Sequence, residues 1–182
     1  MKHWKDILIS AMALMLITGV VTAALAGTNA LTADAIAKRV EETENAARLE
    51  VMDAERFEKA TVQVDKVAQE YYVAYRADAV VGYVFTTVAS GKSAGLTVLT
   101  GISVDGTITG VIVTEDNETA GYVDKVNKEG LLTELKGKPA VALQMGADVD
   151  AVSGATKTSK GVVTAVNQAI AAYQVIVKGG GC

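Results

Sequence analysis

The chain has 182 residues, half of them hydrophobic but only 5% aromatic, with 21 acidic against 17 basic residues and a formal net charge of −4. That length suits one ordinary domain plus an appendage, and with no dominant basic patch the composition argues against nucleic acid as a partner. One Cys (Cys182) and one His (His3) exclude an intramolecular disulfide, a Cys-rich zinc or iron–sulfur site and a His-based triad, so any redox or transfer chemistry must come from a bound cofactor.

No residue from Ile7 to Ala33 is charged. As a helix, the run Ile7–Ala26 is long enough to cross roughly 30 Å of hydrocarbon, which predicts a transmembrane helix over 7–30 after a short N-terminus, 1–6. Lys2, His3 and Lys5 precede the run, and Trp4 sits where an interfacial aromatic anchor belongs. This basic flank predicts a cytoplasmic N-terminus and a single pass through the cell membrane. The competing reading is a cleaved signal peptide with Ala24–Ala26 as its "ALA" site, although the run exceeds the usual apolar length of such peptides. Both readings place the remaining domain outside the cytoplasm.

Residues 31–60 are dense in charge. Ile36, Val40, Ala47 and Val51 recur at helical spacing, and Glu44/Arg48 and Glu55/Lys59 are i,i+4 pairs of favourable order. They predict an exposed stalk helix with no chemistry of its own. A domain over 61–178 follows. Tyr71–Tyr75 ("YYVAY") reads as packing or as a helix end rather than as a stacking platform. Ala79–Ala89, Gly95–Val104 and Thr107–Glu115 are rich in Val, Ile and Thr and predict strands. Asp105-Gly106 between the last two supplies a tight hairpin turn. Ala120–Gly137 predicts one or two short helices broken at Gly130, and "PAVALQ" a short strand. A helix from Thr158 to Val177 closes the domain, with Val162, Val166, Ala169, Ile170 and Tyr173 on its buried face. The tail, 179–182, is expected to be flexible. Strands interspersed with helices give a compact α+β domain with an antiparallel sheet behind the membrane anchor.

The stretch "DAVSGATKTSKGV" (Asp150–Val162) gathers Ser153, Thr156, Thr158 and Ser159 with Gly154, Ala155, Lys157 and Lys160. Thr158 or Ser159 can cap the helix that follows. A helix N-terminus attracts anions, Gly154 and Ala155 allow close backbone approach, and the lysines add charge, so phosphate binding is the second reading. Neither "GxxxxGK[ST]" nor a strand-borne "GxGxxG" is present, which leaves a standard nucleotide site unsupported.

"DAVSGAT" (Asp150–Thr156) resembles the flavinylation motif D-x-x-[ST]-G-A-[ST] of the FMN-binding domain family. In order of features the chain is similar to the G subunits of Rnf-type ion-translocating electron transport complexes, and more distantly to the C subunits of sodium-pumping NADH:quinone reductases. The likeness runs through the anchor, "ARLEVMDAERFEKA", "VGYVF", "GISVDGTITGVIV", "NETAGYVDKV" and the final "SGAT"-helix unit. It implies a covalent FMN joined by a phosphoester to Thr156. Asp150, Ser153, Gly154, Ala155, Lys157, Thr158, Glu118 and Thr119 would surround it. It implies a separate flavin transferase for maturation, other membrane subunits of the complex as partners, and no metal site. The implied activity is that of a translocase subunit moving electrons between ferredoxin and NAD and coupling this to sodium or proton transport. No independent catalysis is expected of the isolated chain. Two segments depart from the family pattern: "GKSAG" (Gly91–Gly95) stands for "GYGG", and "ETAGYV" (Glu118–Val123) for "ETPGLG". The alternatives are a stand-alone extracytoplasmic flavoprotein carrier and a membrane-tethered binding domain whose "SGAT" turn is only a helix cap.

Overall fold

The computed structural model describes residues 2–64, 66–115 and 121–179. Two units are distinguished, residues 1–44 and residues 45–182. The first is helical. Helix α1 runs from Lys2 to Val51, and its stretch Ile7–Ala33 is 27 residues of apolar helix, none of it buried. Its length and apolarity suffice to cross a membrane. Three of the hydroxyls there return to their own helix. Thr18 Oγ1 donates to the Leu14 carbonyl at 2.8 Å, Thr28 Oγ1 to Ala24 at 2.9 Å and Thr32 Oγ1 to Thr28 at 2.9 Å. These three donors are satisfied within the helix, as suits an apolar surrounding.

The expected anchor and stalk are one helix, and it ends at Val51 rather than at residue 60. Arg56–Ala60 instead open a strand. The charges that suggested a helical pair work across strands and turns: Lys59 Nζ meets Glu70 of the next strand at 2.8 Å, and Glu55 Oε2 accepts the Ala77 N–H at 3.2 Å. Tertiary pairing has overridden a weak local preference. The end of α1 is not solvated either. Arg48 is buried, with its guanidinium 3.7 Å over the Tyr72 ring.

The second unit is built on a five-stranded antiparallel meander in the order β1-β2-β3-β4-β5. The strands are β1 (Arg56–Val64), β2 (Val67–Arg76), β3 (Ala79–Ser90), β4 (Ala94–Ser103) and β5 (Ile108–Glu115). The last three coincide with the expected strands to within a residue or so; β1 and β2 do not appear among them. Gly106 (φ 80°) supplies the left-handed turn expected between β4 and β5. "YYVAY" lies within β2 rather than at a helix end. It does pack: Tyr71 stacks on Phe85 at 5.6 Å between ring centroids.

Three helices complete the unit: α2 (Tyr122–Lys128), α3 (Leu131–Leu135) and α4 (Thr156–Lys178). Gly130, in the left-handed region at φ 85°, separates the first two. Helix α4 crosses one face of the sheet and buries Val162, Val166, Ala169, Ile170 and Tyr173, the expected face, against Phe85, Leu96, Val98 and Ile102. Thr87 Oγ1 on β3 ties helix to sheet by donating to the Ala165 carbonyl at 3.0 Å. Burial raises the pKa of the Tyr173 phenol, with Tyr83 and Asp105 adding to the effect, so it stays a donor to the Val104 carbonyl at 3.1 Å. "PAVALQ" is not a strand. Only Pro139 bridges to Thr107, and the Asn167 side chain of α4 takes over the ladder: its Oδ1 accepts the Leu143 N–H at 2.8 Å and its Nδ2 donates to the Leu143 carbonyl at 2.9 Å.

The opposite sheet face is closed by the last turn of α1. Val51, Met52 and Ala54 pack with Ala74, Val84 and Leu99. The helix end can come this close because glycines face it. A Cβ on Gly101 would lie 2.5 Å from the Val51 carbonyl oxygen, and one on its cross-strand partner Gly110 would lie 2.8 Å from Val51 Cα. Thr109 Oγ1 donates to the same Val51 carbonyl. Gly101→Ala is therefore expected to destabilise the second unit by about 1–3 kcal/mol, the usual cost of overpacking a close-packed contact. Chemical denaturation that finds the variant as stable as the parent would show that Val51 can move away freely.

Candidate cofactor-binding site

The site begins with the turn that leads into α4. Val152 and Ala155 are buried and anchor it, and the Ala155 N–H donates to the Val152 carbonyl at 3.0 Å. Between them Gly154 adopts φ 75°, a left-handed conformation that a side chain disfavours. Ala155 is the N-cap of α4, and no side chain caps the helix there. Thr158 and Ser159 lie inside the first turn of α4, both fully buried. The expectation that one of them caps the helix is thus corrected. Ser159 Oγ accepts the Val152 N–H at 3.1 Å and donates to the Ala155 carbonyl at 3.0 Å, so it builds the turn rather than capping its end. The cause is periodicity. The apolar face of α4 must point at the sheet, and Thr158 and Ser159 fall on that face.

The four hydroxyls therefore divide. Ser153 and Thr156 are exposed, while Thr158 and Ser159 are sealed in the core. Thr158, expected beside the cofactor, has no exposed surface to offer one. The first helical ladder bond at the turn runs from the Ser159 N–H to the Ala155 carbonyl at 2.9 Å. The amides of Thr156 and Lys157 precede it and lend the exposed end of α4 its positive pole. Lys157 is exposed, and so is Asp150. Asp150 has no side-chain partner among the described residues. Asp148, by contrast, accepts the Gln144 N–H at 2.8 Å and shapes the preceding loop. Glu118 and Thr119 lie outside the described residues.

Two further segments meet at this turn. A Cβ on Gly154 would lie 3.0 Å from Lys125 Nζ of α2, so a lysine ammonium stands beside the turn. A Cβ on Gly161 of α4 would lie 2.9 Å from Gly91 Cα, which brings the β3–β4 turn against the start of the helix. From that turn Lys92 Nζ donates to the Tyr122 hydroxyl at 3.0 Å and lies 4.3 Å from the centroid of its ring. Lys92, Tyr122 and Lys125 were not among the expected site residues. Lys92 and Tyr122 fall in the two segments that depart from the family pattern. Lys125 follows Tyr122 by one helical turn and shares its face.

An exposed hydroxyl at an uncapped helix N-terminus, beside a left-handed glycine with a lysine ammonium near it, fits a phosphate-bearing cofactor such as FMN. Residues 91–171 match the FMN-binding domain family, a stretch that spans Lys92, Tyr122, Lys125 and the whole "DAVSGAT" turn. Residues 1–51 match the RnfG N-terminal region, which coincides with α1. The chain is 33% identical, over 96% of its length and 95% of the relative's, to the G subunit of the Na(+)-translocating ferredoxin:NAD(+) oxidoreductase complex of Acetobacterium woodii. It is 30% identical to the G subunit of the ion-translocating oxidoreductase complex of Escherichia coli, over 81% and 82% of the two chains. It is 28% identical to the G subunit of the proton-translocating ferredoxin:NAD(+) oxidoreductase complex of Clostridium ljungdahlii, over 73% and 72%. An apolar N-terminal helix followed by an FMN-binding fold, matched almost end to end by such a subunit, means that this chain belongs to the RnfG family of ion-translocating oxidoreductase complex subunits.

Proposed function

We propose that this chain is a membrane-anchored electron carrier, the G subunit of an Rnf-type complex that couples electron transfer between ferredoxin and NAD to ion transport, with FMN joined through its phosphate to Thr156. The observation that carries the attachment is the division of hydroxyls. In "DAVSGAT" the motif's last hydroxyl, Thr156, is exposed at the positive end of α4, while the neighbouring Thr158 and Ser159 are buried. The same observation weighs against a turn that serves only as a helix cap, since no side chain caps α4.

Attachment needs Thr156 Oγ to displace AMP from FAD on a separate, magnesium-dependent flavin transferase. The Oγ–P bond forms, the pyrophosphate P–O bond breaks, and the hydroxyl proton passes to a base of the transferase. Once bound, FMN supplies one- and two-electron chemistry that no side chain here provides. The chain's own residues hold it: Thr156 by the ester, Ser153, Gly154 and the Ala155 backbone by shaping the turn, and Lys157 by charge. Asp150, exposed and without a described partner, is free to serve in recognition by the transferase. The apolar helix keeps the carrier beside the other membrane subunits, which hold the ferredoxin and NAD sites. Lys2, His3 and Lys5 favour a cytoplasmic N-terminus in the cell membrane with the FMN domain on the far side.

Stability and flavin loading separate the roles of the hydroxyls. Co-expressed with a flavin transferase, the wild-type chain should give a band that fluoresces under ultraviolet light after denaturation. Thr156→Val should be dark, yet its stability should stay within about 0.5 kcal/mol of the parent made without the transferase, as at an exposed site. Ser159→Ala should fluoresce and lose about 1–3 kcal/mol, because the buried Val152 N–H is left without its acceptor. A fluorescent Thr156→Val band would remove the attachment from this residue.

Made without the transferase, Asp150→Ala is expected to match the thermal stability of the equally unloaded parent; made with it, the variant should load markedly less flavin. A fall in stability with normal loading would make Asp150 a structural residue. For the orientation, a membrane-impermeant maleimide should label Cys182 in intact spheroplasts, and protection of the thiol until lysis would reverse the topology.

A further inference from the structure

Packing fixes the α2 backbone at Lys125, while the lysine side chain itself is exposed. Its neighbour Val126 is fully buried, and its own carbonyl accepts the Glu129 N–H at 3.0 Å. The start of α2 is held to the β3–β4 turn by the contact of Lys92 with Tyr122. The Lys125 side chain then reaches across to Gly154, where its Nζ stands 3.0 Å from the position of a Cβ. Among the described residues that ammonium makes neither a hydrogen bond nor an ion pair. It lies beside the positive pole of α4, whose first turn also carries Lys157. A cation held against a cationic helix end is repelled there, and the repulsion turns to attraction only when an anion joins them.

We infer that Lys125 is a positioning residue for the flavin phosphate: its ammonium, seated over Gly154, neutralises the phosphate carried by Thr156 and fixes the turn around it. This rests on the attachment at Thr156. The phosphodiester keeps one negative charge after the ester forms, and Lys125 offers three donors to its free oxygens. Gly154 is required for its backbone conformation (φ 75°), which brings the turn beside Lys125. The ammonium costs stability in the unloaded chain and returns it in the loaded one, so its contribution changes sign on flavinylation.

The test compares full-length wild type, Lys125→Met, Lys125→Gln and Lys125→Arg, each with and without co-expressed flavin transferase, by thermal unfolding and in-gel fluorescence. Loading should raise the midpoint of wild type by about 2–4 °C more than that of Lys125→Met or Lys125→Gln, and Lys125→Arg should recover most of the difference. The unloaded Met and Gln variants should melt at or above the unloaded wild type. In the Thr156→Val background, Lys125→Met should no longer lower stability when the transferase is present. Equal gains on loading in all four chains would overturn the inference. So would unloaded Met and Gln variants that are as destabilised as their loaded forms, since that marks a purely structural lysine. A dark wild-type band would remove the attachment itself and this role with it, whereas a fluorescent wild type with an indifferent Lys125→Met would remove this role alone.

Discussion

The rotation of α4 about its own axis is the constraint on which the site depends. Val162, Val166, Ala169, Ile170 and Tyr173 are buried against the sheet, and so the direction of every other side chain on the helix is set. Thr158 and Ser159 are carried into the core and Lys157 and Lys160 out of it, while Thr156 stays at the exposed rim. The bond from Thr87 to the Ala165 carbonyl and the one from Tyr173 to Val104 hold that rotation at two points. The apolar stripe is thus a positioning device for one hydroxyl as much as a source of stability.

A second constraint is close backbone approach. Gly91 and Gly161 let the β3–β4 turn lie against the start of α4, and α2 is fastened to that turn by Lys92 and Tyr122. Three segments distant in sequence therefore converge on the motif. The departures of "GKSAG" and "ETAGYV" from the family pattern gain a physical sense here. They supply the two ends of one contact, Lys92 on one segment and Tyr122 on the other.

Much of the fold was legible because its signals are periodic. The Val- and Thr-rich runs of β3 to β5, the Asp105-Gly106 turn, the break at Gly130 and the buried stripe of α4 all lie where alternation, turn chemistry or a 3.6-residue repeat places them. β1 and β2 were hidden because their charges also suit a helix. Arg56 and Glu58 share one face of an edge strand and Lys59 the other, and the ion pair of Lys59 lies on β2, out of reach of any local rule. The loop that Asn167 clamps was misread as a strand for a similar reason, since a side-chain amide makes the bonds that a neighbouring strand would make. Of the site, the motif was legible as a resemblance and the exposure of Thr156 was not. Lys125 could not be found from the sequence at all, because its meeting with Gly154 is a product of how α2 packs.

The junction of Val51 with the glycine-lined sheet bears on where the chain can be cut. Residues 45–51 belong to the second unit. Val51 and Met52 are almost wholly buried, and the Val51 carbonyl accepts from Thr109. The minimal folding unit is therefore longer than the sheet and its helices. A soluble fragment beginning at the first strand would bare the apolar patch around Val84 and Leu99 to water and to other copies of itself. One that keeps the last two turns of α1 leaves that patch covered and removes the apolar span Ile7–Ala33 together with the charged stretch that follows it to Glu44.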